Sequence, residues 1–193
     1  VGNPVRRELL LADRKAAREK LGLDTRPLIL SFGGSLGAKP INDAVTGLIK
    51  YHNNSGKYYH IHAAGRAGYA DMKANLDKEC GNLVDEIKLR EYIDDMDVCM
   101  AAADLVICRA GAITLSELSV CGKASILIPS PYVAENHQYH NAMTLKNRGA
   151  ASVIEEKDLT DEFLIKSVEE LLSDPKTASE MGKNAKEAAI ADS

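Results

Sequence analysis

No tryptophan occurs in the chain, and phenylalanine occurs only twice. A core must therefore be filled by Leu, Ile, Val and Ala rather than by large aromatic rings. Cysteine is sparse, at positions 80, 99, 108 and 121, and no two cysteines have CxxC spacing. That argues against a zinc ribbon or a disulfide framework, and Cys108 and Cys121 sit in apolar stretches where a thiol serves as a small hydrophobe. A reducing, cytosolic compartment is the expectation. No apolar run approaches the ~20 residues that a membrane span needs. No secretory leader is legible, and the chain starts at Val1 rather than at methionine. The start is therefore expected to be a cut or processed end, with anything upstream hidden. Basic residues number 24 against 28 acidic ones, a net charge of −4. Without a concentrated basic face, nucleic acid is not an expected partner.

What is present is ordinary for a globular domain. Hydrophobic residues make up 45% and charged residues 27% of 193 positions. One domain of this length can bury roughly 70% of its unfolded surface. The elements alternate. Residues 7–21 read as a helix stopped at Gly22, 27–32 as a strand, 41–51 as a helix, 58–64 as a strand and 67–80 as a helix. Residues 87–92 read as a strand, 96–102 as a short helix capped by Asp94 or Asp95, 105–108 as a buried strand and 113–120 as a helix ending at Gly122. A strand at 124–128 is broken by Pro129 and Pro131, followed by a helix at 136–147 and a strand at 151–154. Thr160 and the pair Asp174-Pro175 are start signals for two closing helices. Continuous apolar strands separated by helices imply a parallel sheet covered on both faces. The expected fold class is α/β, a Rossmann-like doubly wound sheet. Ligands in such sheets bind beyond the carboxyl ends of the strands.

Three loops at those ends carry chemistry. The first, Gly33-Gly34-Ser35-Leu36-Gly37-Ala38, runs from strand to helix. Small residues there let main-chain N–H groups approach a phosphate, although the same loop also suits a tight turn with no ligand. It departs from the dinucleotide fingerprint, because Phe32 stands where the first glycine would be, and it lacks the GK[ST] of a Walker loop. The second, Arg109-Ala110-Gly111-Ala112-Ile113, opens a helix that carries Glu117. A carboxylate one turn in can accept hydrogen bonds from two ribose hydroxyls, or it can be a solvated helix residue. The third follows Pro129 and leads to Glu135, Asn136, His137 and Gln138, polar groups able to reach a sugar or phosphate. His137 and His140 have helical i, i+3 spacing but no convincing third metal ligand. His60 and His62 share one strand face, where a core or edge role is the simpler account.

Six segments, in order and at matching spacing, resemble the C-terminal half of the MurG family of N-acetylglucosaminyltransferases. They are Gly2-Asn3-Pro4-Val5-Arg6, Gly33 to Ala38, Tyr92-Ile93-Asp94-Asp95-Met96, Cys108 to Ala112, Ser116-Glu117 and Gln138-Tyr139-His140-Asn141-Ala142. The resemblance covers essentially the whole chain. It implies that residues 1–193 are the donor-binding half of a two-domain GT-B enzyme, with an N-terminal acceptor domain lying outside them. It further implies UDP-GlcNAc as donor and a lipid-linked muramoyl-pentapeptide as acceptor, so that lipid I becomes lipid II at the inner face of the cell membrane. Membrane contact and the general base would belong to the other half. No metal or cofactor is implied, and no catalytic residue is assigned here. The implied donor contacts are Arg6, Gly34, Ser35, Gly37, Arg109, Gly111, Ala112 and Ile113 around the diphosphate, the main chain of Ile93 at uracil, Glu117 at ribose, and His137 and Gln138 at the sugar. The sequence departs from the family at Leu36, where Gln is usual, at Ala110 for Ser, at His137 for Gln, and by one extra residue after Pro129. Two rival readings are the donor subunit of a split transferase and a non-catalytic UDP-binding module.

Overall fold

The computed structural model describes residues 7–133 and 136–192. Two short helices, α1 (Arg7–Leu11) and α2 (Arg14–Lys20), precede strand β1 (Leu28–Phe32). Then follow α3 (Lys39–His52), β2 (Tyr59–Ala63), α4 (Tyr69–Cys80), β3 (Ile87–Arg90), α5 (Met96–Ala102), β4 (Leu105–Cys108) and α6 (Ala112–Cys121). The chain continues through β5 (Ser125–Leu127), α7 (His137–Asn147), β6 (Ser152–Val153), a 3-10 turn (Glu156–Asp158), α8 (Asp161–Leu172) and α9 (Pro175–Ala191). The strands form one sheet in the order β3-β2-β1-β4-β5-β6, and every pairing is parallel. That is the doubly wound topology expected from the alternation of elements.

Because side chains alternate across a strand, each strand feeds both faces of the sheet. Leu28, Leu30, Ile61, Val106 and Leu127 join one buried cluster with Met100, Leu118, Ala142 and Ala185. Ile29, Leu105, Ile107 and Ile126 join the other with Val45, Leu48, Leu76, Leu164 and Val168. Both are mainly aliphatic, with Tyr58 the buried aromatic ring in the second. The helix pairs α3–α8, α6–α9 and α2–α5 complete the layers. Among the described residues no helix is long and apolar enough to cross a membrane.

The elements follow the sequence expectations with a few physical corrections. The helix expected over 7–21 is two helices, because the Asp13 carboxylate accepts a hydrogen bond from the Ala16 N–H at 2.8 Å and starts α2 afresh. Asp95 occupies the N-cap position of α5, but its side chain does not cap; it pairs instead with the Arg90 guanidinium at 2.7 Å. A charged donor is the stronger partner for a carboxylate. Thr160 and Asp174 do cap, accepting from the N–H groups of Phe163 and Lys176. The strands at 87–92, 124–128 and 151–154 are each shorter than expected.

His60 and His62 lie in the core, completely buried, and His52 is buried at the end of α3. The His52 ring packs edge-on against Tyr58, with ring centroids 4.8 Å apart, and neither of its ring nitrogens has a hydrogen-bond partner. Burial lowers the pKa of all three: His52 to about 4, His62 to about 3, and His60 well below the ordinary value, with the His62 ring adding to the effect. In the unfolded chain a histidine titrates near 6.5. The folded state therefore holds its full stability above about pH 6.5 and loses it as acid protonates the unfolded chain first, by about 1.4 kcal/mol per pH unit for each histidine. The urea midpoint should fall steeply between pH 7 and pH 5. His52→Phe keeps the edge-on ring and removes one titrating group, so its midpoint should exceed that of the parent by more at pH 5 than at pH 7.5. Equal differences at the two pH values would remove His52 from the acid response.

Candidate functional site

The carboxyl ends of all six strands face one edge. Strand order reverses between β1 and β4, which are hydrogen-bonded neighbours. A crevice forms at such a switch point, because the chain leaves the two strands toward opposite faces of the sheet. The glycine loop emerges from β1, and the Arg109–Gly111 loop emerges from β4. The loop after Pro129 emerges from β5, the next strand along. The three loops that the sequence singles out therefore share one edge.

The glycine loop is shaped by main-chain contacts. It closes on itself through the Gly37 N–H to the Gly34 carbonyl at 3.0 Å. It is held from the side by the turn after β2, where the N–H groups of Arg66 and Ala67 donate to the carbonyls of Ser35 and Leu36, each at 3.1 Å. Gly37 has φ +89°, and a Cβ there would stand 2.1 Å from the Ala64 oxygen. Gly65, at φ +80°, would place a Cβ 2.1 Å from the Gly37 nitrogen. Two backbones lie against each other at a distance that excludes any side chain. The loop then enters α3, whose first turn contains Pro40.

On the β4 side, Gly111 occupies the N-cap of α6 in an extended conformation with open space around it. Ala112 is exposed, as is Ile113 at 56%. Glu117 is only 4% exposed, so it is not the solvated residue that was its alternative reading. Arg109 does not extend freely from the loop. Its guanidinium pairs with Glu156 at 2.9 Å and donates to the carbonyls of Ile128 and Pro129 at 3.3 and 3.4 Å. It thereby ties the β4 loop to the β5 loop and to the 3-10 turn, with its charge matched by Glu156.

Gln138 does similar work. Its side-chain oxygen accepts from the N–H groups of Ala110 at 3.2 Å and Ser130 at 2.9 Å. Asn141 adds a longer bond to the Ala110 carbonyl at 3.4 Å. His137 begins α7 and is exposed. Ile93 is buried in the core. Ile93 lies on the crossover that carries the chain from outer strand β3 back to β4. Arg6 and Glu135 lie outside the described residues. Among the described residues no group of three His, Cys, Asp or Glu is placed to hold a metal ion. Asn141 belongs to a segment that the sequence marks, whereas Glu156, which also organises these loops, is not marked by it. Glu156 is 47 positions from its partner Arg109, and no local pattern marks it.

The five helices that begin beyond the carboxyl ends of β1 to β5, namely α3, α4, α5, α6 and α7, have no side-chain cap. Of the others, α2 and α9 are capped by Asp13 and Asp174, and α8, which follows β6 through the 3-10 turn, is capped by Thr160. Free first-turn N–H groups carry partial positive charge and bind anions. Along this edge α3 and α6 thus begin without a side-chain cap, whereas the first N–H of α4, on Tyr69, donates to the Gly65 carbonyl at 3.1 Å.

Comparison with known proteins agrees with this arrangement. Residues 28–193 match the glycosyltransferase family 28 C-terminal domain. The UDP-N-acetylglucosamine–N-acetylmuramyl-(pentapeptide) pyrophosphoryl-undecaprenol N-acetylglucosamine transferase of Acetivibrio thermocellus is 48% identical over 191 residues, 98% of this chain and 51% of that protein. The protein of the same name from Caldanaerobacter subterraneus is 45% identical over 186 residues, 96% of this chain and 50% of that one. The crystal structure of Acinetobacter baumannii MurG superposes with a TM-score of 0.77 at 30% identity, over 95% of this chain and 51% of that one. The chain spans about half the length of the curated relatives it matches. With its sheet order, its glycine loop and a match over nearly all of its length, the chain belongs to the glycosyltransferase family 28 C-terminal domain family.

Proposed function

We propose that this chain is the donor-binding half of an inverting transferase that moves GlcNAc from UDP-GlcNAc to the muramoyl 4-hydroxyl of a polyprenyl-diphosphate-linked muramoyl-pentapeptide. The observation that carries the reading is the pair of uncapped helix starts, α3 and α6, on adjacent strands at the switch point. A diphosphate placed there meets two sets of main-chain donors. The names of the relatives supply the sugar and the acceptor.

In this reading Gly34, Ser35 and Gly37 on one side, and Gly111, Ala112 and Ile113 on the other, surround the diphosphate. Arg6 adds its charge from the segment before α1. The main chain of Ile93 meets uracil, Glu117 accepts from the ribose hydroxyls, and His137 and Gln138 face the sugar. Arg109 serves by holding the loops in place. When the glycosidic bond to UDP breaks, negative charge grows on the diphosphate. Donors already aimed at that position stabilise it without reorganising. The acceptor groove, the general base and the contact with the inner face of the membrane belong to residues outside these 193.

Two questions test the reading, donor recognition and transfer. In titration calorimetry UDP should bind, and Glu117→Ala should weaken it by about tenfold or more, since hydrogen bonds to a charged group contribute ~1.5–3 kcal/mol. Unchanged affinity would take the ribose role from Glu117, and equal binding of ADP would favour a generic nucleotide module. The second is transfer itself. UDP-GlcNAc should raise the melting temperature of this chain, corresponding to roughly 2.7 kcal/mol at a hundredfold excess over the dissociation constant. A radiolabelled assay with lipid-linked acceptor should nonetheless show no turnover, because positioning the acceptor supplies a large share of the rate. Turnover by these residues alone would overturn the division into halves.

A further inference from the structure

Beneath the glycine loop lies a polar network that the proposed donor site does not use. Ser31 on β1, His60 and His62 on β2, and Asn42 in the first turn of α3 are all buried. The Ser31 hydroxyl lies 2.7 Å from His60 Nε2 and 2.7 Å from His62 Nδ1. His62 Nε2 lies 2.8 Å from Asn42 Oδ1, and the Asn42 amide donates to the Ala64 carbonyl at 2.9 Å.

Donor counting fixes the protons. Asn42 donates to Ala64, so its oxygen is turned toward His62 and must accept. His62 therefore carries its proton on Nε2, and its Nδ1 accepts from the Ser31 hydroxyl. The Ser31 oxygen in turn accepts from Nε2–H of His60. Every bond then has one donor and one acceptor, both rings are neutral, and His60 Nδ1 is left without a partner. Burial, which disfavours the charged form of both rings, agrees with this assignment.

The chain of bonds ends at a consequential atom. The Ala64 carbonyl is the one that lies against Gly37, and Ala64 leads into the turn whose N–H groups hold Ser35 and Leu36. Asn42 itself sits one turn into the helix that the glycine loop opens. A single side chain therefore grips both α3 and the turn that supports the loop. We infer that Ser31, His62 and Asn42 are positioning residues, which set the glycine loop and the start of α3 in register for a diphosphate that none of them touches. The inference rests on the donor-site reading for its ligand but not for its geometry.

A residue that merely stabilised the core would affect all ligands and all elements alike. Three variants, His62→Leu, His62→Gln and Ser31→Ala, separate the two roles. Gln keeps an amide donor for Asn42, Leu does not, and Ser31→Ala is the milder cut should the Leu variant fail to fold. Titration with UDP and with uridine reads the diphosphate alone. His62→Leu and Ser31→Ala should weaken UDP by about tenfold, the scale of losing a bond to a charged group, with uridine changed by less than about twofold. His62→Gln should restore UDP binding. Hydrogen exchange without ligand provides an independent reading. The amides of Gly37, Arg66 and Ala67 should exchange about tenfold faster in the two disrupting variants, while those of β4 and β5 keep their rates. Equal loss of UDP and uridine, or exchange raised uniformly across the sheet, would overturn the positioning role. Absence of UDP binding in the parent chain would instead refute the donor-site reading, and exchange would still decide the network's role.

Discussion

Parallel pairing of all six strands is the constraint on which everything else depends. Each strand must be followed by a crossover, so both faces of the sheet are covered and its central strands are almost wholly buried. The same pairing sends every strand-to-helix loop to one edge. Chemistry in this protein has one place to go, and the uncapped helix starts are found there. At the switch point the loops after β1 and β4 diverge to opposite faces of the sheet.

Two different solutions hold that edge in shape. On the β1 side the glycine loop rests on the turn after β2 by backbone contact, with the buried histidine network behind it. On the β4 side long polar side chains do the work: Arg109 and Gln138 each join the β4 loop to the β5 loop. The first solution has no charged member. The second uses a half-buried ion pair, in which each partner would be costly to leave alone.

Much of this was legible in the sequence because it is local. Apolar runs without alternation announced a covered parallel sheet, and residues 96–102 and 105–108 read correctly to the residue. Thr160 and Asp174 identified themselves as caps because a cap and its partner are neighbours in the chain. The shared face of His60 and His62 was legible from strand periodicity. Their link to Ser31 was not, because it crosses from β2 to β1. Asp95 had the position of a cap and lost that role to Arg90, an outcome set by which partner folding brought nearest. Arg109 is implied as a donor contact by the family resemblance. Its bond to Glu156 depends on the 3-10 turn after β6, a piece of backbone that no periodicity foretells.

The backbone contact at Gly37 and Gly65 bears on how such a domain can change over time. A cradle made from two main chains demands glycine at those two positions and says little about the identity of their neighbours. Ser35, Leu36 and Arg66 contribute carbonyls and an N–H to the contact, groups that almost any amino acid would supply. Substitution at these places can therefore retune what the edge prefers to hold while its framework stays as it is. Selection acting on specificity and selection acting on foldability thus fall on different letters of the same short loop.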